Sequence, residues 1–188
     1  PHARGRRGEV PGDCQRVGAS VCGALLAQLG AEVVFVEYAA ADDHHHTKLS
    51  WRFSLAAGKH SLRLREESVD DLALVEQLVR RADVVLRSSD VDGSTFRFPD
   101  VASDRVDCDV TAFGRGGSDA GPGWSEQLVQ AVSGVLHTTG LPGDAPVAID
   151  FPLVEFMTGS YAAAAVLAAL RVRRRQGQGQ AIDMALFD

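Results

Sequence analysis

The sequence predicts an α/β protein built on a Rossmann-like parallel sheet with flanking helices. Short apolar runs rich in β-branched residues, such as residues 33–36, alternate along the chain with longer segments whose apolar residues recur at helical spacing. Parallel neighbouring strands need crossover helices, so this alternation favours a parallel sheet. The chain has 188 residues, of which 45% are hydrophobic, and this is enough for the core of one domain.

The elements follow one another in a regular order after the first residues. Residues 1–12 show no apolar periodicity and are expected to form an irregular arm, which leaves residues 13–188 for the domain. The predicted strands are residues 33–36, 60–64, 84–86, 107–113 and 180–184, and the predicted helices are residues 17–29, 69–81, 125–135 and 157–173. The apolar residues at 185–188 predict a domain that is incomplete at this end and is completed by a longer polypeptide or a second one.

Charge and cysteine content argue against several classes of protein. The formal net charge of -6 opposes binding to nucleic acid or to an anionic membrane surface. The longest apolar stretch, residues 162–170, is well short of the roughly 20 residues that cross a bilayer, so a cytoplasmic location is expected. Cys14, Cys22 and Cys108 are too widely spaced to predict a disulfide framework or a zinc site.

Three polar stretches could carry chemistry but have ordinary alternatives. The histidines at 44–46 could ligate a metal, yet adjacent residues on a loop rarely converge on one ion, and no metal is expected. The glycine-rich turn at 114–117 could hold a phosphate through backbone N–H groups, although an ordinary loop is favoured. The arginines within 171–175 could bind an anion, but cations are expected at a helix C-terminus, so a solvated face is favoured.

Glu155 is an acid within an otherwise apolar run, residues 151–157, just before the predicted long helix. A carboxylate there gains from the partial positive charge of the helix N-terminus and is partly withdrawn from water, so its pKa and nucleophilicity can be tuned. The alternative is an acid that caps the helix, and the residues alone favour it.

A series of segments carries a family resemblance, in a fixed order and over most of the chain. Residues 24–37, ALLAQLGAEVVFVE, are similar to an opening usually written LLADLGAEVIKVE. The later matches are residues 57–62 with an NRNKRSV turn, 81–85 with ARADVLV, 113–122 with a GFGxxGP loop, and the segments 130–134, 139–140, 159–163 and 177–183. These segments resemble the class III CoA-transferases, the family of formyl-CoA transferase, carnitine CoA-transferase and α-methylacyl-CoA racemase.

The resemblance implies a CoA-transferase with a Rossmann-like large domain and interlocked chains. In the implied ping-pong reaction an aspartate attacks an acyl-CoA thioester, forms a mixed anhydride, takes CoA as an enzyme thioester and passes it to a second carboxylic acid. Glu155 holds that aspartate's position and is the implied catalytic residue. Coenzyme A contacts carry over to Val17, Gly18, Ala57, Gly58, Lys59 and Glu126. The implied partners are acyl-CoA, a small carboxylic acid, and either a second copy of the chain or a completing segment or subunit.

Some positions depart from the family's pattern and keep alternatives open. Residues 87–92 replace its ENFRPG segment, and Tyr38 stands in place of a basic residue. Ser125 stands where the racemase type needs a histidine as a proton-transfer base, so the racemase activity is disfavoured. The alternative to an active transferase is a catalytically impaired domain that binds CoA or serves as a scaffolding subunit.

Overall fold

The computed structural model describes residues 9–13, 16–38, 54–65, 68–90, 104–116 and 123–188. Within these ranges six strands form one sheet: β1 Glu9–Asp13, β2 Glu32–Tyr38, β3 Lys59–Leu64, β4 Val84–Arg87, β5 Val106–Thr111 and β6 Gln180–Ala185. The helices are α1 Val17–Gln28, α2 Val69–Arg81, α3 Glu126–Val132 and α4 Leu153–Gln176, with a 3-10 helix at Val135–Thr138.

The strand order confirms the predicted Rossmann-like class. The sheet runs β3-β2-β1-β4-β5-β6, and every neighbouring pair is parallel. The chain therefore builds outward from β1 to β3, then crosses back and builds outward on the other side from β4. In such sheets ligands bind in the crevice at the carboxyl ends of the strands where the order reverses. Here that switch point lies between β1 and β4.

Helices cover both faces of the sheet, and the alternation of side chains along the strands explains why. In β2, Val33 and Phe35 point to the core formed with α1 and α4, whereas Val34 and Val36 point to the core formed with α2. Strands that are covered on both faces carry continuous apolar runs, and this is the signal by which β2 was predicted.

The long helix α4 packs closely on α1 through a glycine. A Cβ at Gly159 would lie 2.7 Å from Val21 Cβ and would overlap the carbonyl oxygen of Gly18. By length and composition alone α4 could cross a membrane, but its inner residues are buried in the core. They are Glu155, Thr158, Gly159, Ala162, Ala163, Val166 and Ala169. This packing is that of a core helix, whose first turn is fixed against the first turn of α1.

The largest differences from the boundaries expected from the sequence are at β1 and at the start of the long helix; β5 and α3 also end two and three residues earlier than predicted, at Thr111 and Val132. Residues 9–12, assigned to the arm, lie in β1, whose sequence EVPGD has a proline and a glycine in place of an apolar run. Residues 1–8 of the arm are outside the described part of the chain. The long helix begins at Leu153, four residues before the predicted start at Met157, so Glu155 lies inside its first turn.

Candidate active site

Groups that follow three strands form a hydrogen-bonded cluster with a buried acid, Glu155, at the switch point of the sheet. Arg16 follows β1, Asp90 follows β4, and Ala112 follows β5. Arg16 donates hydrogen bonds to Asp90 and to Glu155, and the backbone N–H of Ala112 donates to Asp90 over 2.7 Å. Because parallel strands end at the same edge, residues far apart in the chain come together in the crevice where this fold binds ligands.

Glu155 is held at both of its carboxylate oxygens. Oε2 accepts a hydrogen bond of 2.6 Å from the backbone N–H of Gly18, in the first turn of α1, and Oε1 accepts one of 3.3 Å from Nη1 of Arg16. The residue is only 5% exposed. A Cβ at position 18 would lie 3.0 Å from Oε2, so glycine is the residue that lets α1 approach the carboxylate this closely.

A second glutamate fixes the start of the helix that carries Glu155. Glu126, in the first turn of α3, accepts hydrogen bonds of 3.0 Å from the backbone N–H groups of both Val154 and Glu155. Gln130 steadies Glu126 with a hydrogen bond of 2.8 Å and also bonds the backbone of Ile149. The first N–H groups of a helix lack partners within it, and Glu126 supplies an acceptor for two of them.

Arg16 and Asp90 form a buried pair with two parallel hydrogen bonds. Nε and Nη2 of Arg16 lie 2.8 Å and 2.6 Å from the two oxygens of Asp90, and Nη2 also donates to the carbonyl of Trp124 over 3.1 Å. Arg16 is 5% exposed and Asp90 is 7% exposed. A guanidinium held by two bonds is fixed in direction as well as in place.

The Glu155 carboxylate binds a proton more readily in this site than it would in water. Burial raises the pKa of Glu155 above its ordinary 4.5, the N–H of Gly18 and the charge of Arg16 oppose this, and the like charge of Glu126 adds to it. Burial also works against the charge of Arg16, but the hydrogen bonds and charges of Asp90 and Glu155 outweigh it and raise the pKa of Arg16. Glu155 is thus an acid whose proton affinity depends on its neighbours.

The residues expected to bind CoA divide into two groups. Val17 opens α1, Gly18 bonds Glu155, and Glu126 bonds the first turn of α4, so these three lie at the switch point. Ala57 and Gly58 precede β3 at its amino end, where a Cβ at Gly58 would lie 3.8 Å from Ala27, in the last turn of α1.

Lys59 links the two groups. It is the first residue of β3, but its side chain extends to the first turn of α1, where Nζ donates a hydrogen bond of 2.8 Å to the carbonyl of Ser20. The same ammonium group lies 5.9 Å from the centre of the Phe35 ring, an arrangement typical of a cation–π contact.

The other polar stretches have structural roles where they are described. In the glycine-rich turn the N–H of Gly114 donates to Oγ1 of Thr111 and that of Arg115 to Asp183, so these two groups are already bonded within the protein. Arg173, at the end of α4, pairs with Asp83 over 2.6 Å. The described residues hold no group of three or more metal-ligating side chains, and His44, His45 and His46 are outside them.

Both cysteines in the described part of the chain are buried, and Cys14 lies outside that part. Cys22 lies in α1 and Cys108 in β5. Burial raises the pKa of the Cys108 thiol to about 12, with further contributions from Asp109 and Asp183. This thiol is therefore protonated at neutral pH.

Arg16 and Asp90 were not singled out from the sequence. Their partnership joins residues 74 positions apart, and β1, which carries Arg16 to the crevice, had no strand signal. One signal was available: each is a charged residue just after a strand, and the two strands are the pair that flank the switch point.

Comparisons with known proteins agree with the fold and with the family resemblance. A family model described as CoA-transferase family III matches residues 13–188. The chain is 32% identical over 186 residues to succinate–glutarate CoA-transferase of Agrobacterium fabrum, covering 88% of this chain and 46% of that protein. It is 29% identical over 175 residues to formyl-CoA:oxalate CoA-transferase of Streptomyces coelicolor, covering 86% of this chain and 42% of that protein.

The solved structures give the same answer. A CAIB/BAIF family protein from Brucella suis superimposes with a TM-score of 0.84 at 27% identity, over 96% of this chain and 52% of that one. The chain thus spans about half the length of the curated relatives and solved structures that it matches. With a family match over residues 13–188, the chain belongs to CoA-transferase family III.

Proposed function

We propose that the protein is an acyl-CoA:carboxylate CoA-transferase in which Glu155 is the nucleophile. The observation that carries this proposal is the position of Glu155: a buried carboxylate at the switch point, 2.6 Å from the N–H of Gly18 and 3.3 Å from the guanidinium of Arg16. These donors hold both oxygens, so the direction of attack is fixed before a substrate arrives. Relatives whose names specify transfer of CoA between carboxylic acids support the reaction class.

The proposed reaction has two matched halves. An oxygen of Glu155 attacks the thioester carbonyl, the C–S bond breaks, and a mixed anhydride and the CoA thiolate form. The thiolate attacks the side-chain carbonyl of Glu155, which releases the first carboxylate and leaves an enzyme thioester. The second carboxylate attacks this thioester and expels the thiolate, which then attacks the new acyl carbonyl and frees Glu155. Each step exchanges one anion for another, so no net proton transfer is needed.

Coenzyme A binding is proposed along the crevice next to α1. Lys59 brings an ammonium group to the first turn of this helix, a suitable partner for a CoA phosphate. The N-terminus of α1 adds the partial positive charge of the helix dipole, which favours anions. Val17 and Gly18 would then face the thioester end, and Ala57 and Gly58 would lie farther along α1.

A transfer assay with matched variants tests the proposal. The natural polypeptide that contains this sequence is incubated with succinyl-CoA and a panel of labelled dicarboxylates, and the labelled acyl-CoA is measured. We expect Glu155→Gln to lose activity by on the order of 10⁴-fold or more, because an amide is not a nucleophile here. Glu76→Gln is the control, since Glu76 lies on the exposed face of α2. Equal activity of Glu155→Gln and the control would refute the assignment.

A CoA-binding or scaffolding subunit is the second candidate. One named relative is a subunit, the succinyl-CoA–L-malate CoA-transferase beta subunit of Chloroflexus aurantiacus. If this candidate is correct, calorimetry detects CoA binding while no acid in the panel is a substrate, and Glu155→Asp restores transfer. A racemase activity gains no support, because Ser125 caps α3 by accepting the N–H of Leu128 over 3.3 Å.

Assembly is part of the proposal. The outward face of α4 exposes large apolar side chains, with Met157 51%, Tyr161 65% and Leu167 43% exposed. We propose that another protein surface buries this face. That surface would belong to further residues of a polypeptide as long as the relatives, to a second subunit or to a second copy of the chain. Light scattering on the natural polypeptide gives the number of copies.

A cytoplasmic location remains our expectation.

A further inference from the structure

Asp90 and Glu155 share one guanidinium unequally. Arg16 directs Nε and Nη2 at Asp90 over 2.8 Å and 2.6 Å, and only Nη1 reaches Glu155, over 3.3 Å. All three side chains are more than nine-tenths buried. Charge-assisted hydrogen bonds between nitrogen and oxygen are strongest near 2.7–2.9 Å, so Asp90 takes the larger share of the Arg16 charge.

The charged groups near Glu155 offer less positive charge than negative charge. From the loop after β1 it faces Arg16, from α3 it faces the like charge of Glu126, and Asp90 lies behind Arg16 after β4. Its one short hydrogen bond comes from a neutral donor, the N–H of Gly18. Among the described residues, Arg16 thus contacts two carboxylates, Asp90 and Glu155, and Glu126 adds a third negative charge close to Glu155.

We infer that Asp90 is a positioning residue. It holds Nε and Nη2 of the Arg16 guanidinium, so that Arg16 orients the Glu155 carboxylate but does not fully compensate its negative charge. The inference rests on the proposed function, because it assigns Glu155 the need to attack. A carboxylate that receives a full bidentate pair is stabilised as an anion and is a poorer nucleophile. Asp90 prevents that pairing by occupying two of the guanidinium donors.

The same arrangement suits the second half of the chemistry. When Glu155 becomes an anhydride or a thioester it loses its negative charge. A buried guanidinium whose one partner had lost its charge would be strongly destabilised. Because Arg16 keeps its two bonds to Asp90, Glu155 can pass between charged and uncharged forms while the cation stays paired.

The test is a direct titration of Glu155 in three proteins. Glutamate is labelled with carbon-13 at its side-chain carboxyl, the Glu155 signal is assigned with Glu155→Gln, and its titration midpoint is measured by NMR. Asp90→Asn removes the competing charge, so the midpoint should fall by about one pH unit or more. Asp107→Asn is the matched control, because Asp107 also pairs with a buried arginine by two bonds. It should leave the midpoint unchanged.

A second variant keeps the test valid if Asp90→Asn does not fold. Replacing the pair by Arg16→Met and Asp90→Leu removes the cation and preserves bulk, so the midpoint should rise. A fall of the midpoint in Asp90→Asn and a rise in the double variant support the inference, and a midpoint in either protein that stays at the wild-type value or moves the other way overturns it. Because NMR needs no substrate, a failed transferase assay with the expected midpoints would refute the proposed function and leave the charge arrangement standing.

Discussion

Two buried arginine–aspartate pairs lie at opposite edges of the sheet, one where the strands begin and one where they end, and the difference that matters for the site is the partner of the arginine Nη1. At the amino edge, Arg105 bonds Asp107 over 3.1 Å and 2.9 Å, and its Nη1 reaches the carbonyl of Val79 at the end of α2. At the carboxyl edge, Arg16 bonds Asp90 in the same bidentate way, but its Nη1 reaches a second carboxylate, Glu155.

The third partner decides the role of each pair. Arg105 ends on a carbonyl at a helix C-terminus, where a cation is favoured and the acceptor does not titrate, so its pair fastens β5 to α2. Arg16 ends on an acid at the switch point, so its pair sets the charge environment of Glu155. The geometry of the two pairs is similar, and burial is nearly the same, with Arg16 5% and Arg105 4% exposed.

The largest expected effect comes from removing each arginine. Arg16→Ala and Arg105→Ala should each lower the free energy of unfolding by about 3–5 kcal/mol at neutral pH, because each leaves a buried carboxylate unpaired. Arg16→Ala leaves two carboxylates, Asp90 and Glu155, so its loss should grow more steeply as pH rises. Each uncompensated carboxylate can add about 1.4 kcal/mol per pH unit.

Urea unfolding followed by circular dichroism between pH 5 and 8 measures both slopes. Equal slopes for Arg16→Ala and Arg105→Ala would mean that Glu155 does not depend on Arg16, and the contrast between the two pairs would fail.

A smaller effect is expected from a methyl group at Gly159, four residues after Glu155 in α4, and at Gly179, against the backbone of Arg105. Gly159→Ala would push α4 from α1, and Gly179→Ala would overlap the backbone of Arg105. Each should lower the free energy of unfolding by about 1–3 kcal/mol, because the added carbon has no space. Only Gly159→Ala should also reduce transfer activity, by about 100-fold, since it moves Glu155 relative to Gly18. Comparable activity in the two variants, after correction for folded fraction, would contradict the assignment.

The smallest expected effect is the contribution of Glu155 to the pH dependence of stability. Its pKa is raised in the folded state, chiefly by burial, so the folded protein binds this proton more tightly than the unfolded chain. Its contribution is therefore fully present below the ordinary value of 4.5 and is lost as pH rises through the folded pKa. Relative to Glu155→Gln, the wild type should lose about 1.4 kcal/mol for each pH unit between the two pKa values.

Unfolding measured from pH 4 to pH 8 on both proteins gives this difference. A wild type that gains stability over Glu155→Gln with rising pH would show that the folded protein stabilises the carboxylate as an anion, and a raised pKa of Glu155 would then be wrong.

The fold could be predicted because its signals are local. The apolar run of β2 and the periodic helix Val69–Arg81 with its capping Ser68 are read within a few residues of chain. β1 has no apolar run, yet it pairs along five residues with β2 in the centre of the sheet. The tertiary neighbours of EVPGD, and not its own propensity, make it a strand.

The candidate site could be predicted only in part, for the same reason. Glu155 stood out as an acid in an apolar run and through the family resemblance. The start of its helix at Leu153 could not be predicted from nearby residues, because the acceptor for the N–H of Val154 is Glu126, 28 positions earlier. Arg16 and Asp90 could not be predicted as a pair, because an ion pair between residues 74 positions apart leaves no local pattern in the sequence.

The most direct test of the proposed nucleophile is to trap the covalent intermediate. The natural polypeptide is incubated with succinyl-CoA, treated with borohydride or hydroxylamine, digested and analysed by mass spectrometry. We expect the reduced or hydroxamate product on the side chain of Glu155, and we expect it to be absent from Glu155→Gln. Modification at another carboxylate, with Glu155 unmodified, would contradict the assignment of Glu155 as the nucleophile.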